Sequence, residues 1–329
     1  MTSNPIFSQL THLSCWPSSS VAVESDGQLQ PAHHEGRLTY VVGWSYDKAD
    51  IEQLWQWMYQ TGERWIIYPT QTLLGRVIQV FASTLAMDVL KQRLSQSSFN
   101  FDALICDHIP SLNRPGMLVM DMDSTTIEIE CIDEIAKLAG VGEQVSAVTA
   151  RAMRGELDFR QSLTHRVAQL KGAPKRILDE VASQLPLMPG CELLLSHLQV
   201  NGWKVILASG GFTYFADVLR RQLGFDQSFA NQLVIDGDYL TGEVTGDIVD
   251  AAYKVNLLKT WRERYHIDPS QTMAVGDGAN DLPMLAESAL GVALHAKPIV
   301  QAQAKVAINH SNLEGLLFLL IAGQVISTG

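Results

Sequence analysis

Three times between residues 117 and 281 the chain repeats one arrangement: a short apolar run that ends in small or acidic polar residues and gives way to a helical pattern. The runs are MLVM before Asp121, WKVILAS before Gly210 and QTMAVGD before Gly278. Continuous apolar runs of this length read as strands buried on both faces. Strands that alternate with helical stretches fold as a doubly wound parallel sheet, so the sequence predicts an α/β core. In such sheets the ligand crevice lies at the carboxyl ends of the strands, where these polar residues fall.

Residues 127–202 separate the first two runs. That is far longer than an ordinary crossover, and the helical patterns ECIDEIAKLAG, EQVSAVTARAMRG, DFRQSLTHRVAQLKG and APKRILDEVASQL predict a helical insertion that caps the crevice. NQLVIDGDYLTGEVTG reads as a hairpin turning at Asp236–Tyr239. The apolar run Leu316–Ala322 predicts part of a buried C-terminal helix and is far too short to span a bilayer.

Ahead of SLNRPG (111–116), which reads as a connection, the texture differs. RLTYVVGW, RWIIY and RVIQVFAS read as strands, and ADIEQLWQWMYQTG and LAMDVLKQRLSQSS as helices, giving a small α+β unit. Five of the seven tryptophans lie at or before Trp65, and Trp55 and Trp57 are expected in its core. Residues 1 to about 36 are turn-rich and are expected to be loosely organised. His33 and His34 stand there without further ligand candidates and are assigned no metal role.

Composition narrows the function classes. A net charge of −11 over 329 residues argues against nucleic acid as the main partner, because phosphate contacts need Lys and Arg. Cys15, Cys106, Cys131 and Cys191 lack metal-type spacing, and scattered thiols in a chain this long suggest a reducing compartment, the cytoplasm. MTSNPIFSQL lacks the charged and apolar regions of a signal peptide, and no membrane partner is expected.

The polar strand ends carry the chemistry. In DMDST, Asp121 is expected exposed at the sheet edge, with Asp123 returning to the same side. Crowded carboxylates repel unless a cation or a reacting proton compensates, which points to a hard divalent ion or to a nucleophile beside an acid/base. In ASGGF, Ser209 offers a hydroxyl, Gly210 and Gly211 let a ligand approach the backbone, and the following helical start has free amides suited to phosphate. Lys254, in DAAYKVNLLKTW, taken alone reads as a solvated helical charge. GDGAND brings Asp277, Asn280 and Asp281 into a tight turn and fits a cation held by oxygen ligands. Together the four segments supply a carboxylate nucleophile, a metal site and positive or amide groups for phosphoryl oxygens, the inventory of phosphoryl transfer.

DMDST, SGG, the lysine and GDGAND, in this order, resemble the four motifs of the haloacid dehalogenase superfamily of phosphotransferases. With ECIDEIA, FRQSLTHRV, SGGFTYFA and GDGANDLPML, the span from about 115 to 310 is similar to the phosphoserine phosphatase family within it. The resemblance implies a magnesium-dependent enzyme making L-serine and phosphate, the last step of serine biosynthesis. It implies Asp121 as nucleophile and Asp123 as general acid and then base. It implies metal ligation by Asp121, Asp277 and the Asp123 backbone carbonyl. Ser209, Lys254 and the Gly210 amide would hold phosphoryl oxygens, with Asn280 and Asp281 orienting metal waters and Lys254. Glu130 would meet the substrate ammonium and Arg166 its carboxylate, while Met153 and Phe159 would close the pocket. Without the resemblance, Glu130 and Arg166 read as surface ion pairs on cap helices. The resulting domain expectation is a small N-terminal ACT-like unit at 1–110, regulatory or dimerising, so that a homodimer is one outcome. It is followed by a catalytic domain at 111–329 with its cap at about 127–202. Two alternatives stay open: a phosphatase or phosphotransferase of the same superfamily acting on another small phosphoester, and a receiver-like module phosphorylated on Asp121 without turnover.

Overall fold

The computed structural model describes residues 19–23, 29–32 and 36–328. His33, His34 and Cys15 lie outside the described residues. The chain divides into two compact units, Met1–Arg114 with Val306–Gly329, and Pro115–Lys305.

The first unit contains β1 (Val21–Val23), β2 (Leu29–Pro31), β3 (Thr39–Ser45), α1 (Lys48–Gln60), β4 (Trp65–Ile67), β5 (Gln71–Leu73), β6 (Arg76–Ser83), α2 (Met87–Leu94) and β7 (Ala103–Cys106). The strands form an antiparallel sheet in the order β2-β1-β4-β6-β3-β7, with β5 paired to β6. The sequence β3-α1-β4-β6-α2-β7 is the split βαβ arrangement of ferredoxin-like units. β1 and β2 come from the stretch expected to be loosely organised. Local turn residues masked them, and their partners are each other and β4.

α1 starts where the Asp47 carboxylate accepts from the Ala49 amide at 2.9 Å. Its apolar stripe of Ile51, Leu54, Trp55 and Met58 packs on Val41, Trp65, Ile67 and Phe81. Trp55 and Trp65 meet the Phe81 ring edge-on at 5.3 and 6.3 Å. Trp55 is therefore core as expected, and Trp57 is only partly buried against that core.

The C-terminal helix Glu314–Thr328 belongs to this first unit, which corrects the expectation of one uninterrupted domain from 111 to 329. Phe318 packs against Trp44 at 5.7 Å, and the Trp44 indole donates to Ser311 Oγ at 3.0 Å. The buried Asp102 carboxylate accepts from the backbone amides of Asn309 and Ser311 at 2.8 and 2.7 Å. A chain that begins at Leu112 keeps every candidate site residue but strips this helix of the sheet it covers. Burial of one such large apolar side chain contributes about 1.5–3 kcal/mol. The truncated chain is expected to self-associate and melt earlier than the full chain in sedimentation and thermal-unfolding measurements. Equal stability and a monodisperse profile would contradict this.

The second unit is the predicted α/β core. It holds β8 (Met117–Met120), α3 (Cys131–Leu138), α4 (Gly142–Met153), α5 (Phe159–Ala168), α6 (Arg176–Ala182), α7 (Cys191–Val200), β9 (Lys204–Phe212), α8 (Thr213–Leu223), β10 (Gln227–Asp236), β11 (Tyr239–Thr245), α9 (Ala251–Arg264), β12 (Thr272–Gly276), α10 (Leu282–Glu287) and β13 (Leu290–Leu294). The strand order is β11-β10-β9-β8-β12-β13. All neighbours are parallel except the β10–β11 hairpin, which turns at Gly237–Asp238 as predicted. The order reverses between β8 and β12, which places a switch-point crevice beyond the ends of those two strands.

The long insertion resolves into helices α3 to α6. α7 packs against β9 and is the ordinary crossover helix, so the cap ends before it. α5 begins with a reciprocal capping box: Gln161 N donates to Asp158 Oδ1 at 2.8 Å, and Asp158 N donates to Gln161 Oε1 at 3.1 Å. No helix among the described residues is long and apolar enough to cross a membrane.

Candidate active site

β8 is buried along its whole length, and its ladder with β12 extends one step further through Asp121 N donating to Val275 O at 3.0 Å. This anchors Asp121 at the strand end, where it is only 6% exposed, not at the open edge the sequence suggested. Thr126 Oγ1 donates to the Asp121 carbonyl at 2.6 Å and closes the turn that follows. Within that turn Ser124 adopts φ +54, a left-handed conformation unusual for a residue with a side chain. Its hydroxyl donates to Glu130 Oε1 at 2.9 Å and so aims Glu130 from just ahead of α3.

Lys254 is fully buried, against its reading as a solvated charge. It shares the inner face of α9 with Leu257 and Leu258, at the helical spacing that makes one stripe. Its Nζ donates to Asp121 Oδ1 and Asp281 Oδ1, both at 2.7 Å. Burial works against its charge, but these two carboxylates outweigh burial and hold its pKa above the ordinary lysine value. Asp281 also accepts from Gly278 N at 3.1 Å, which shapes the GDGAND turn around it. Burial, and then the charge of Asp121, raise the Asp281 carboxyl to about 6.

Carboxylate oxygens of Asp121, Asp277 and Asp281 lie within 4.8 Å of one another. Asp277 is pushed up to about 7 by burial first and then by the charges of Asp121 and Asp281. A group of acids this close favours a cation among them, and an all-oxygen donor set suits a hard one. Thr125 Oγ1 donates to Asp277 Oδ1 at 3.3 Å and orients that carboxylate.

Asp123 lines the same cavity but is not one of these three acids. Its Oδ1 accepts from Cys131 N, at the start of α3, at 3.0 Å. Its Oδ2 faces the end of β9, so closely that a Cβ on Gly211 would lie 2.5 Å from it. A side chain at Gly211 would therefore displace this carboxylate. Burial, and then the Glu130 charge, push the Asp123 carboxyl up to about 7. The SGG segment is the last part of β9 itself, not a turn with open helical amides, and α8 starts at Thr213. Ser209 is fully buried, and its Oγ accepts from Gly211 N at 2.8 Å.

A cavity of about 860 Å³ opens over these groups. Asp121, Asp123, Gly210, Asp277 and Asn280 line its floor, and Glu130, Met153, Phe159 and Arg166 line its cap side. Ser209, Lys254 and Asp281 sit beneath it, with no exposed surface. All twelve residues singled out from the sequence thus converge on one place. Phe159 packs its ring edge over Gly210, where a Cβ would come within 2.8 Å of Cζ. Met153 is at the rim, 68% exposed, so it borders the pocket without covering it. Neither Glu130 nor Arg166 forms an ion pair with a charged side chain of the described residues, and Arg166 Nε is buried without a hydrogen-bond partner. Ser124, Thr125 and Asn231 were not singled out. Ser and Thr in a turn carry no signal beyond turn formation, and the partners of Asn231 become neighbours only on folding.

Residues 117–288 match the family model of the haloacid dehalogenase-like hydrolases. Phosphoserine phosphatase of Haemophilus influenzae is 48% identical over 277 residues, which cover 84% of this chain and 87% of that protein. Phosphoserine phosphatase of Vibrio cholerae is 54% identical over 217 residues, 66% of each chain. A crystal structure of a probable phosphoserine phosphatase from Vibrio cholerae, in unliganded form, superposes with a TM-score of 0.76 at 42% identity and covers 88% of both chains. The sheet order, the acid-lysine arrangement at its switch point and these likenesses agree: the chain belongs to the haloacid dehalogenase-like hydrolases, in the phosphoserine phosphatase family.

Proposed function

We propose that this chain hydrolyses O-phospho-L-serine to L-serine and phosphate, with Mg²⁺ as cofactor and an aspartyl phosphate on Asp121 as intermediate. The observation that carries the reading is a cavity with a lysine-paired carboxylate and an acid cluster on its floor and both Glu130 and Arg166 on its cap side, where the Arg166 charge acts on Glu130. A phosphate monoester dianion suits the floor once its charge is offset. An ammonium and a carboxylate suit Glu130 and Arg166.

In the first step the Asp121 carboxylate attacks phosphorus and the bond from phosphorus to the serine oxygen breaks. Asp123 delivers a proton to the departing oxygen. In the second step Asp123 takes a proton from water as that water attacks the phosphorus of the aspartyl phosphate, which releases phosphate and restores Asp121. A carboxyl raised to about 7 can serve as both acid and base near neutral pH. The same group argues against a receiver-like module, since a well-placed base shortens the life of an acyl phosphate. Lys254 orients Asp121 and, with the Ser209 hydroxyl and the Gly210 amide, meets phosphoryl oxygens. Asp121, Asp277 and the Asp123 carbonyl would hold Mg²⁺, with Asp281 behind them and Asn280 at the edge. When bound, the ion offsets the charge between nucleophile and phosphate.

The test is phosphate and serine release from phosphoserine, beside an aryl phosphate, with Mg²⁺ and after chelation. Equal molar serine and phosphate are expected over many turnovers, with activity lost on chelation and regained with Mg²⁺. Full activity in excess chelator would sink the metal assignment. Specificity is tested at Arg166. A charged hydrogen bond in a desolvated site is worth about 1.5–3 kcal/mol, so Arg166→Ala should lower kcat/KM for phosphoserine roughly 10- to 150-fold. The aryl phosphate has no carboxylate to lose and should change far less. Arg166→Lys should recover only part, lacking the planar fork. An equal fall for both substrates would show that Arg166 supports the phosphate site or the fold instead.

A further inference from the structure

We infer that Asn231 is a positioning residue of this site: its side-chain amide sets the peptide plane between Gly210 and Gly211, and through that plane the direction of the Ser209 hydroxyl. The inference deepens the phosphoryl-transfer reading and rests on it for the identity of the group that Ser209 meets.

Asn231 lies on β10 and is 1% exposed. The register between β9 and β10 shifts between Phe229 and Asn231, and the Asn231 amide reaches the end of β9. Nδ2 donates to the Gly210 carbonyl at 2.8 Å, and Oδ1 accepts from Val249 N at 2.9 Å. A carbonyl only accepts and a backbone N–H only donates, so these two partners fix which way the amide faces.

The consequence follows from peptide planarity. The carbonyl of Gly210 and the N–H of Gly211 belong to one rigid unit, so holding the carbonyl aims the N–H. That N–H donates to Ser209 Oγ. With an Oγ lone pair engaged, the hydroxyl proton is turned elsewhere, and no acceptor for it is found among the described residues. It is thereby available to a phosphoryl oxygen. Two successive glycines have a permissive backbone, and side chains there would strike Phe159 and Asp123. The glycines supply no side chain to hold the plane, and Asn231 clamps its carbonyl from outside. The second bond ties this clamp to Val249, one residue before Asp250, whose carboxylate caps α9 at Tyr253 N. One neutral side chain so links the strand end bearing Ser209 to the start of the helix bearing Lys254.

The test is a double-mutant cycle on the full chain, read with phosphoserine and with an aryl phosphate. Asn231→Ala should lower kcat/KM about 10-fold or more for both substrates by a similar factor, because the phosphoryl site is common to them. In a Ser209→Ala background the same change should lose less than about threefold, since the group it positions is gone. Losses that multiply would overturn the proposal, as would an Asn231→Ala enzyme within about twofold of wild type. Asn231→Asp keeps the acceptor for Val249 and the volume but turns the donor to Gly210 into a second acceptor. It should impair both substrates at least as much as Asn231→Ala. If it retains wild-type rates, or if neither variant folds, Asn231 is a residue of the fold and not of the site. Wild-type turnover of phosphoserine, measured in parallel, reports separately on the substrate assignment, because the cycle can be completed with the aryl phosphate alone.

Discussion

Asp121→Asn is expected to leave the protein folded and almost without turnover. The amide oxygen can still accept from Lys254, which sits 2.7 Å from Asp121 Oδ1, so the local hydrogen bond survives. The charge balance improves. Asp121, Asp277 and Asp281 crowd their carboxylates within 4.8 Å, and removal of one negative charge relieves that repulsion. The melting temperature should therefore equal or exceed that of wild type without metal. Turnover should fall by about four orders of magnitude or more, because an amide cannot form the acyl phosphate. Single-turnover and steady-state phosphate release check the chemistry, and thermal unfolding checks the fold. Retention of more than about a tenth of wild-type turnover would exclude a covalent role for Asp121.

Lys254→Met should fail in the opposite way, losing stability as well as activity. The substitution leaves Asp121 and Asp281 without the cation they share, and Lys254 and Asp281 have no exposed side-chain surface. Breaking a buried pair on one side costs about 3–5 kcal/mol. For a unit of this size that lowers the melting temperature by about 6–20 °C. Neutralising Asp281 as well, in Lys254→Met with Asp281→Asn, removes one of the stranded charges. It should return part of the stability, a coupling of about 0.5–3 kcal/mol. Activity should stay absent in both. A Lys254→Met protein that melts like wild type would show that the cluster is less tightly coupled than its geometry implies.

The acids were legible early for a physical reason. Asp-x-Asp directly after a buried strand keeps two carboxylates close to one strand end, and crowding of like charge requires compensation. Lys254 was different. Helical spacing to Leu257 and Leu258 places it on an apolar stripe, but its acceptors lie 133 and 27 residues away in sequence. Only the resemblance of the motifs pointed to it, since a lysine on a helix is ordinarily solvated. Asn231 was not legible at all. Its partners, Gly210 and Val249, are 21 and 18 residues away and are backbone groups that carry no residue-type signal.

The same division holds for the architecture. Buried apolar runs, helical periodicity, the Gly-Asp hairpin turn and the overlong insertion are properties of neighbouring residues, and they specified an α/β core with a helical cap. Where the C-terminal helix belongs was decided by packing. Its nearly all-apolar run announced burial without naming a partner, and Trp44 with the Asp102 carboxylate supplied one more than 200 residues upstream. Strand elements and acid pairs follow from local sterics and local charge, so the sequence alone determined them. The pairing of Lys254, the clamp at Gly210 and the assignment of the last helix depend on which surfaces meet when the chain closes, and only the tertiary structure decided those.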